Sequence, residues 1–177
     1  MALSLAKRQG ALGPAPVADL IAHSQGFVSA LAAVHGTVVD LGAGGGVPGL
    51  VIATERPDLE LVLVDRRTSR ADLLQRLIAQ LGLGARVRTV CAAASALPGE
   101  PWLPVDAVVA RRLGPPHETI AFARALVRNG GLIVISEPPV GDRWSPGIVG
   151  ALGLRQLHGQ SPPPPDAGRV AVFERST

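Results

Sequence analysis

Between Thr37 and Ser136 the sequence alternates short, largely apolar runs with longer segments of helical character, and this alternation constrains the fold more than any other feature. The apolar runs predict five strands, with the sequences TVVDL, ELVLVD, RVRTV, VDAVVA and LIVIS. Helices are predicted between them over VPGLVIATE, SRADLLQRLIAQLGL and PHETIAFARALVRNGG. Apolar strands that are connected through helices form a parallel sheet with helices on both faces. The sequence therefore predicts a doubly wound, Rossmann-like α/β fold.

The C-terminal tail departs from this alternation. The strand-like runs LRQLHGQ and RVAVFER follow each other without a predicted helix, and the proline-rich segment SPPPPDAG connects them. Two such runs predict an antiparallel hairpin that closes one edge of the sheet. The predicted sheet therefore has seven strands, most of them parallel.

The N-terminal part is predicted to be less regular. Glycine and proline interrupt residues 1–16, and one or two short helices, broken near Gly26, are expected to follow. We therefore expect an N-terminal segment with short helices over 1–36 and a ligand-binding domain over 37–177, which together make a single domain overall.

Local signals add three expectations. Ser69 and Asp72 have the spacing of a capping box at the start of the helix after the second strand, and Gly82 is expected to end that helix. Cys91 ends an apolar run, which favours a buried thiol over a nucleophile. It is the single cysteine, so an intrachain disulfide and a cysteine-based zinc site are excluded, and the scattered histidines predict no metal site.

Composition indicates little about partners. The net charge of +3 is compatible with an anionic partner such as RNA. However, Lys7 is the only lysine, and an arginine-rich composition of this kind is also what a GC-rich coding sequence produces. The N-terminus lacks the apolar core of a signal peptide, and no uninterrupted apolar stretch of membrane-spanning length exists. We therefore expect a soluble, cytoplasmic protein.

The loop after the first predicted strand, VVDLGAGGGVPGL, is where a ligand is expected, because ligands of doubly wound sheets bind beyond the carboxyl ends of the strands. Read from Gly44, the loop satisfies G-x-G-x-x-G, and Asp65 follows about 20 residues later, as in a dinucleotide site. Read from Asp40, it is an acid followed by G-x-G-x-G, the first motif of S-adenosylmethionine (SAM) methyltransferases. Both readings are open on spacing alone.

Charge favours SAM over a dinucleotide. A pyrophosphate at this loop would be repelled by the carboxylate of Asp40, whereas SAM brings a cationic sulfonium and an α-ammonium group, which an acid attracts directly or through water. Asp65, at the end of the second strand, can accept hydrogen bonds from ribose hydroxyls of either ligand. Asp40 is therefore the residue that separates the two readings.

The sequence resembles the ribosomal small-subunit methyltransferase G family, also called glucose-inhibited division protein B. The likeness lies in VVDLGAGGGVPGLVIATERPDLELVLVDRRTSRADLL, in VDAVVARRLGPP, whose family counterpart ends in Ala-Arg-Ala, in LVRNGGLIVIS and in AGRVAVFER. It covers roughly residues 37–137 and the final strand. The V-P-G that follows the glycines is its most specific element.

The resemblance implies a class I SAM-dependent methyltransferase fold and methyl transfer to guanine N7 of 16S ribosomal RNA. It implies roles for the following residues: Gly42, Gly44 and Gly46 at the methionine part of SAM, Val47 near the cofactor, Asp65 at the ribose, Ala94 and Ser95 beside the adenine, and Arg111 in the active cleft. Asp40 joins the cofactor-binding residues by the charge argument above. A ring nitrogen that carries no proton needs no general base, so the lack of an evident catalytic triad is compatible with this chemistry. His117 and Glu118 are the nearest candidate bases, but we interpret them as polar residues of a first helical turn.

The sequence also departs from the family pattern. An acid is usual after the third strand, where this chain has CAAASAL, and a lysine is usual after the fifth, where Glu137 stands with the wrong sign for a phosphate. Three alternatives therefore stay open: a small-molecule methyltransferase, a SAM- or nucleotide-binding module without catalysis, and an NAD oxidoreductase.

Overall fold

The computed structural model describes residues 2–141, 143–157 and 166–176. Its strands within these ranges are β1 (Gly36–Leu41), β2 (Leu59–Asp65), β3 (Val87–Cys91), β4 (Val105–Ala110), β5 (Val127–Ser136), β6 (Leu154–Leu157) and β7 (Val170–Arg175). They form one sheet in the order β3-β2-β1-β4-β5-β7-β6. The first five are mutually parallel, whereas β7 runs antiparallel to both β5 and β6. The predicted fold, with its C-terminal antiparallel hairpin, is confirmed.

The order of the strands reverses direction at β1. The chain moves outward from β1 through β2 to β3 and then returns to pair β4 with the other side of β1, where Asp40 faces Leu63 on one neighbour and Val109 on the other. A crevice opens at the carboxyl ends of the two strands that flank such a reversal. The fold thus positions a ligand site between the loops that follow β1 and β4.

Helices cover both faces of the sheet. They are α1 (Ala2–Arg8), α2 (Val17–Ala30), α3 (Gly49–Glu55), α4 (Thr68–Gln80), α5 (Pro116–Leu126) and α6 (Pro146–Ala151), with a 3-10 turn at Ala94–Ala96. Alternate residues of β1 belong to different cores: Val38 packs in the cluster that contains α2, α3 and α4, and Val39 in the cluster that contains α5. Since both faces of the central strands are buried, those strands carry nearly continuous apolar runs, which made them recognisable in the sequence. In the part of the chain that the structure describes, no helix has both the length and the apolar character that a membrane span requires.

The N-terminal part is more regular than predicted. Residues 2–8 form α1, whose Ala2 and Ala6 are buried, although this segment was expected to be loose. Helix α2 is continuous through Gly26 and not broken there. A side chain at Gly26 would collide with the carbonyl oxygen of Gly168, so the glycine permits close packing of α2 against the segment before β7.

Other local expectations were also wrong. The predicted capping box is absent, because α4 begins after Arg67 and its N-cap makes no side-chain hydrogen bond. The thiol of Cys91 is exposed and not buried. The segment from Val127 to Gly131, which was predicted as the end of a helix, is extended and belongs to β5, where a register shift against β4 accommodates it. Gly82 does end α4, with a positive φ of 68°. The predicted connector SPPPPDAG lies mostly outside the described residues.

Candidate functional site

The glycine loop crosses from the end of β1 to the start of α3 along the carboxyl edge of the sheet. The amides of Gly42 and Ala43 both donate to the carbonyl oxygen of Val64 on β2, each at 2.9 Å, which fixes the loop against the neighbouring strand. Gly46 has a φ of 92°, and a Cβ atom there would collide with Leu50 of α3. Gly44 has a φ of 54°, but a Cβ atom there would have no heavy atom closer than 3.7 Å. The backbone at Gly44 is therefore accessible from the edge of the sheet.

Asp65, the last residue of β2, is hydrogen-bonded to the loop that follows β1. Its Oδ2 accepts a hydrogen bond from the Gly44 amide at 3.0 Å, and its Oδ1 accepts one from the Arg67 amide at 3.0 Å. The side chain is 6% exposed. A carboxylate oxygen can accept more than one hydrogen bond, so both oxygens keep capacity for a ligand. Asp65 is thus a fixed acceptor beside accessible backbone.

A cavity of about 440 Å³ lies against this acceptor. Its floor and walls come from the ends of β1 and β2, the segment after β3, the loop after β4 and the exposed side of α5. The lining residues are Gly42, Val64, Asp65, Arg66, Arg67, Ala92, Ala93, Ala94, Ser95, Arg112, Leu113, Gly114, Glu118, Thr119 and Phe122. Of the residues predicted from sequence, the structure places Gly42, Asp65, Ala94 and Ser95 on this cavity, and Asp40, Gly44, Gly46, Val47 and Arg111 outside its lining.

Asp40 lies beneath the loop and not in the cavity. It is 1% exposed, and its Oδ2 accepts a hydrogen bond from the Gly49 amide at 2.9 Å, while its buried Oδ1 has no hydrogen-bond partner among the described residues. Burial raises the pKa of Asp40 to about 7, although the Gly49 amide and the charge of Arg111 lower it, and Asp65 adds to the rise. In this arrangement Asp40 organises the start of α3 and can act on a ligand only through its charge.

Two adjacent arginines follow β4 and lie in different environments. Arg111 is half-buried, and burial lowers the pKa of its guanidinium, an effect that Arg112 strengthens and Asp40 opposes. Arg112 is exposed and has a φ of 55°. The sequence pointed to Arg111 as the residue of the cleft, but Arg112 is the one that lines the cavity.

A second cavity of about 330 Å³ lies on the other side of the loop after β4. Glu137, which was expected to oppose a phosphate, lines it with Arg143. The Glu137 carboxylate accepts hydrogen bonds from Arg143 Nη2 at 2.7 Å and from the Trp144 indole at 2.9 Å, and its side chain is 5% exposed. The negative charge of Glu137 is therefore compensated by Arg143.

Sequence reasoning missed Thr119 and Phe122, which α5 brings to the first cavity, and it interpreted Glu118 as a polar residue of a first helical turn without a role at the site. Glu118, Thr119 and Phe122 have helical spacing and share the face of α5 that looks onto the cavity. Asp65 and Glu118 are the carboxylates among the residues that line it. Phe122 provides its aromatic ring. Phe122 lies one turn after the adjacent residues Glu118 and Thr119 on the helix that follows β4, and this spacing is the signal that could have identified them.

Comparison with known proteins defines the class first. An O-methyltransferase family protein from Burkholderia thailandensis has the same fold, with a TM-score of 0.66 at 20% identity over 86% of this chain and 55% of that chain. The Rossmann-like fold of this chain is thus shared with a methyltransferase.

The family follows from the sequence. A family model described as GidB, rRNA small subunit methyltransferase G, matches residues 17–137, and the chain belongs to this family, as the resemblance predicted. The Ribosomal RNA small subunit methyltransferase G of Salinispora arenicola is 41% identical over 102 residues, which cover 55% of this chain and 42% of the relative. That of Acidothermus cellulolyticus is 32% identical over 135 residues, or 71% of this chain and 56% of the relative. The chain therefore spans about half the length of the curated relatives that it matches.

Proposed function

We propose that this chain is a SAM-dependent methyltransferase that acts on ribosomal RNA of the small subunit, with N7 of a guanine as the acceptor. The observation that carries the proposal is the Asp65 carboxylate, which lines the cavity while it is held by the Gly44 amide at 3.0 Å. A fixed acceptor at the end of the second strand, next to a glycine loop, suits ribose hydroxyls. Family membership supports the reaction class.

The residues present fit SAM. The cavity of about 440 Å³ falls within the size range of small-molecule sites, roughly 300–1,000 Å³. Ala94 and Ser95 form one wall and Phe122 lies among the lining residues, which gives an adenine both backbone groups and an aromatic face. When bound, SAM supplies an electrophilic methyl group on a cationic sulfur.

Negative charge at the site suits a cationic cofactor. Asp40 lies under the loop, with an oxygen that has no hydrogen-bond partner among the described residues, and Asp65 and Glu118 face the cavity. The acid that the family carries after β3 is missing from CAAASAL. We propose that Glu118 takes over its role, because it reaches the same cavity from α5.

The proposed reaction requires the protein to position the reactants, and it requires no proton transfer. Guanine N7 attacks with a ring lone pair that carries no proton, so the protein aligns the acceptor with the methyl group and excludes water. His117 is 75% exposed at its side chain and lies at the start of α5, where it pairs loosely with Glu118 at 3.9 Å. No step in this mechanism needs either of them as a base.

The positive charge of the arginines that line the two cavities suits RNA as a substrate. Arg66, Arg67 and Arg112 line the first cavity, and Arg112 and Arg143 line the second. Phosphate contacts from arginine supply most of the affinity of such interfaces. Since Arg143 compensates Glu137, the acid after β5 no longer favours a small-molecule acceptor.

The test begins with calorimetric titration of the purified protein with SAM, S-adenosylhomocysteine and NAD. We expect micromolar binding of the first two, binding that is weaker by about tenfold to a hundredfold in Asp65→Ala, and no binding of NAD. Labelled methyl transfer to unmodified 16S ribosomal RNA, read at guanine N7, then tests the acceptor. Binding of NAD in place of SAM would reject the proposal, and SAM binding without transfer to RNA would leave only a cofactor-binding module.

A further inference from the structure

Arg112 has a backbone conformation that its side chain disfavours. Among the described residues it is the one non-glycine residue with a positive φ, at 55°. An L-residue with a Cβ atom adopts this region at a cost in free energy, and glycine adopts it freely. Residues in such conformations are concentrated at functional sites, where the geometry they provide is used. The loop thus holds an arginine in a conformation that glycine would adopt more readily.

This conformation places Arg112 between the two cavities. Arg112, Leu113 and Gly114 line both the cavity of about 440 Å³ and the cavity of about 330 Å³. Arg111, the preceding residue, is half-buried and interacts electrostatically with Asp40. The two neighbouring guanidinium groups therefore lie in different surroundings. Arg111 interacts with the buried Asp40, and Arg112 lines the two cavities.

The guanidinium of Arg112 is available for a ligand. It is exposed, and none of the hydrogen bonds or ion pairs formed by the described residues involves it. In the first cavity the sulfonium of SAM would repel this group, and the α-carboxylate is the one anionic group by which SAM could attract it. A phosphate is a suitable partner, because a guanidinium binds phosphate oxygens through paired, charge-assisted hydrogen bonds.

The second cavity has the character of an acceptor pocket. Pro116, Pro138 and Pro139 contribute apolar walls, and the Glu137–Arg143 pair closes one side. A flipped base has two apolar faces that suit such walls, and its phosphates stay outside the pocket, within reach of an exposed arginine that lines both cavities.

We propose that Arg112 binds a backbone phosphate next to the target nucleotide and so positions the acceptor base in the second cavity. This inference rests on the proposed function. It goes beyond the family resemblance, in which alanine occupies the position after the arginine of β4. Arg112 would thus be an RNA-contacting residue distinct from Arg111.

The experiment measures binding of unmodified 16S ribosomal RNA at several salt concentrations for the wild type, Arg112→Ala, Arg112→Lys and Arg112→Gly. Each lost phosphate contact lowers the slope of log affinity against log salt by about 0.7–0.9. We expect this loss in the alanine and glycine variants, a retained slope in the lysine variant, and a raised KM for RNA that is larger in the alanine and glycine variants than in the lysine variant. Arg76→Ala, an exposed arginine two turns into α4, is the matched control and should bind RNA as the wild type does.

The glycine variant separates lost contact from lost folding, because it removes the guanidinium while it relieves the backbone. A wild-type salt slope and KM in both the alanine and the glycine variants would overturn the assignment of Arg112 and leave the proposed function intact. Failure of the wild type itself to bind or methylate RNA, with SAM binding retained, would overturn the proposed function together with this inference.

Discussion

The Asp65 carboxylate accepts a hydrogen bond from the Gly44 amide at 3.0 Å, so the acid that ends β2 holds the loop that follows β1. The two residues are separated by 21 positions in the sequence, and the parallel register of β1 and β2 brings them together. One side chain thereby shapes the glycine loop and lines the cavity. Loss of Asp65 should affect both.

We predict that Asp65→Ala lowers SAM affinity about tenfold to a hundredfold. A hydrogen bond to a charged group contributes roughly 1.5–3 kcal/mol, and the proposed ribose contact and the Gly44 contact are both removed. Calorimetric titration measures the effect. Asp72→Ala is the control, because Asp72 is exposed on α4 and makes none of the contacts of the loop. Equal SAM affinity in the two variants would remove Asp65 from the site.

The buried Asp40 predicts a pH dependence of stability. Its pKa is about 7 in the folded protein against 3.8 in an unfolded chain, mainly because of burial, so the folded state holds a proton that the unfolded state has lost. The resulting contribution to stability is complete below pH 3.8 and is lost as the pH rises through about 7. Between these values the free energy of unfolding should fall by about 1.4 kcal/mol per pH unit from this group.

Denaturant unfolding of the wild type and Asp40→Asn at pH 5, 6, 7 and 8 tests this. Asparagine keeps an acceptor for the Gly49 amide and cannot ionise, so the stability difference between the proteins should change from pH 5 to pH 7 and level off above. Parallel pH curves would contradict the prediction. SAM should also bind more tightly above pH 7, where the Asp40 carboxylate is charged and attracts the cationic cofactor.

Close packing of α2 against the segment before β7 predicts that a methyl group added at Gly26 destabilises the protein. The Gly168 amide donates to the carbonyl oxygen of His23 at 3.2 Å, and a Cβ atom at Gly26 would collide with the Gly168 carbonyl. Gly26→Ala should therefore lower the free energy of unfolding by roughly 1–3 kcal/mol, since the contact is with backbone and cannot move aside easily. Gly84→Ala is the matched control: a Cβ atom there meets nothing within 4 Å, and the variant should be neutral or more stable by up to about 1 kcal/mol. Thermal unfolding that ranks the two variants in the opposite order would refute this account.

The sequence predicted those parts of the site that depend on strand order. Asp65 could be located because an apolar run ends there, and parallel strands place all such ends at one edge. The pairing of Glu137 with Arg143 could not be predicted, because the two residues lie six positions apart in an irregular loop whose course no local pattern defines. The same holds for Gly26, whose environment is set by Gly168, far along the chain.

The choice between Arg111 and Arg112 also needed the structure. Which of two adjacent residues after a strand faces a cavity depends on the backbone conformation of the loop, and no residue preference predicts the positive φ of Arg112. The extended start of β5 at Val127 has a similar origin, because pairing with β4 overrode the helical pattern of the preceding residues.

The positive φ of Arg112 itself predicts a stability difference between two variants that both lack the guanidinium. A Cβ atom in this conformation costs roughly 1–2 kcal/mol, whereas glycine loses roughly 0.5–1 kcal/mol more in conformational entropy on folding. Arg112→Gly should therefore be more stable than Arg112→Ala by up to about 1 kcal/mol, as measured by denaturant unfolding with equal m-values. The same pair at Arg66, which lies on the same edge with no positive φ, should show the reverse order. Lower stability of the glycine variant at Arg112, as expected at Arg66, would mean that the loop relaxes and that the arginine is not held in a disfavoured conformation.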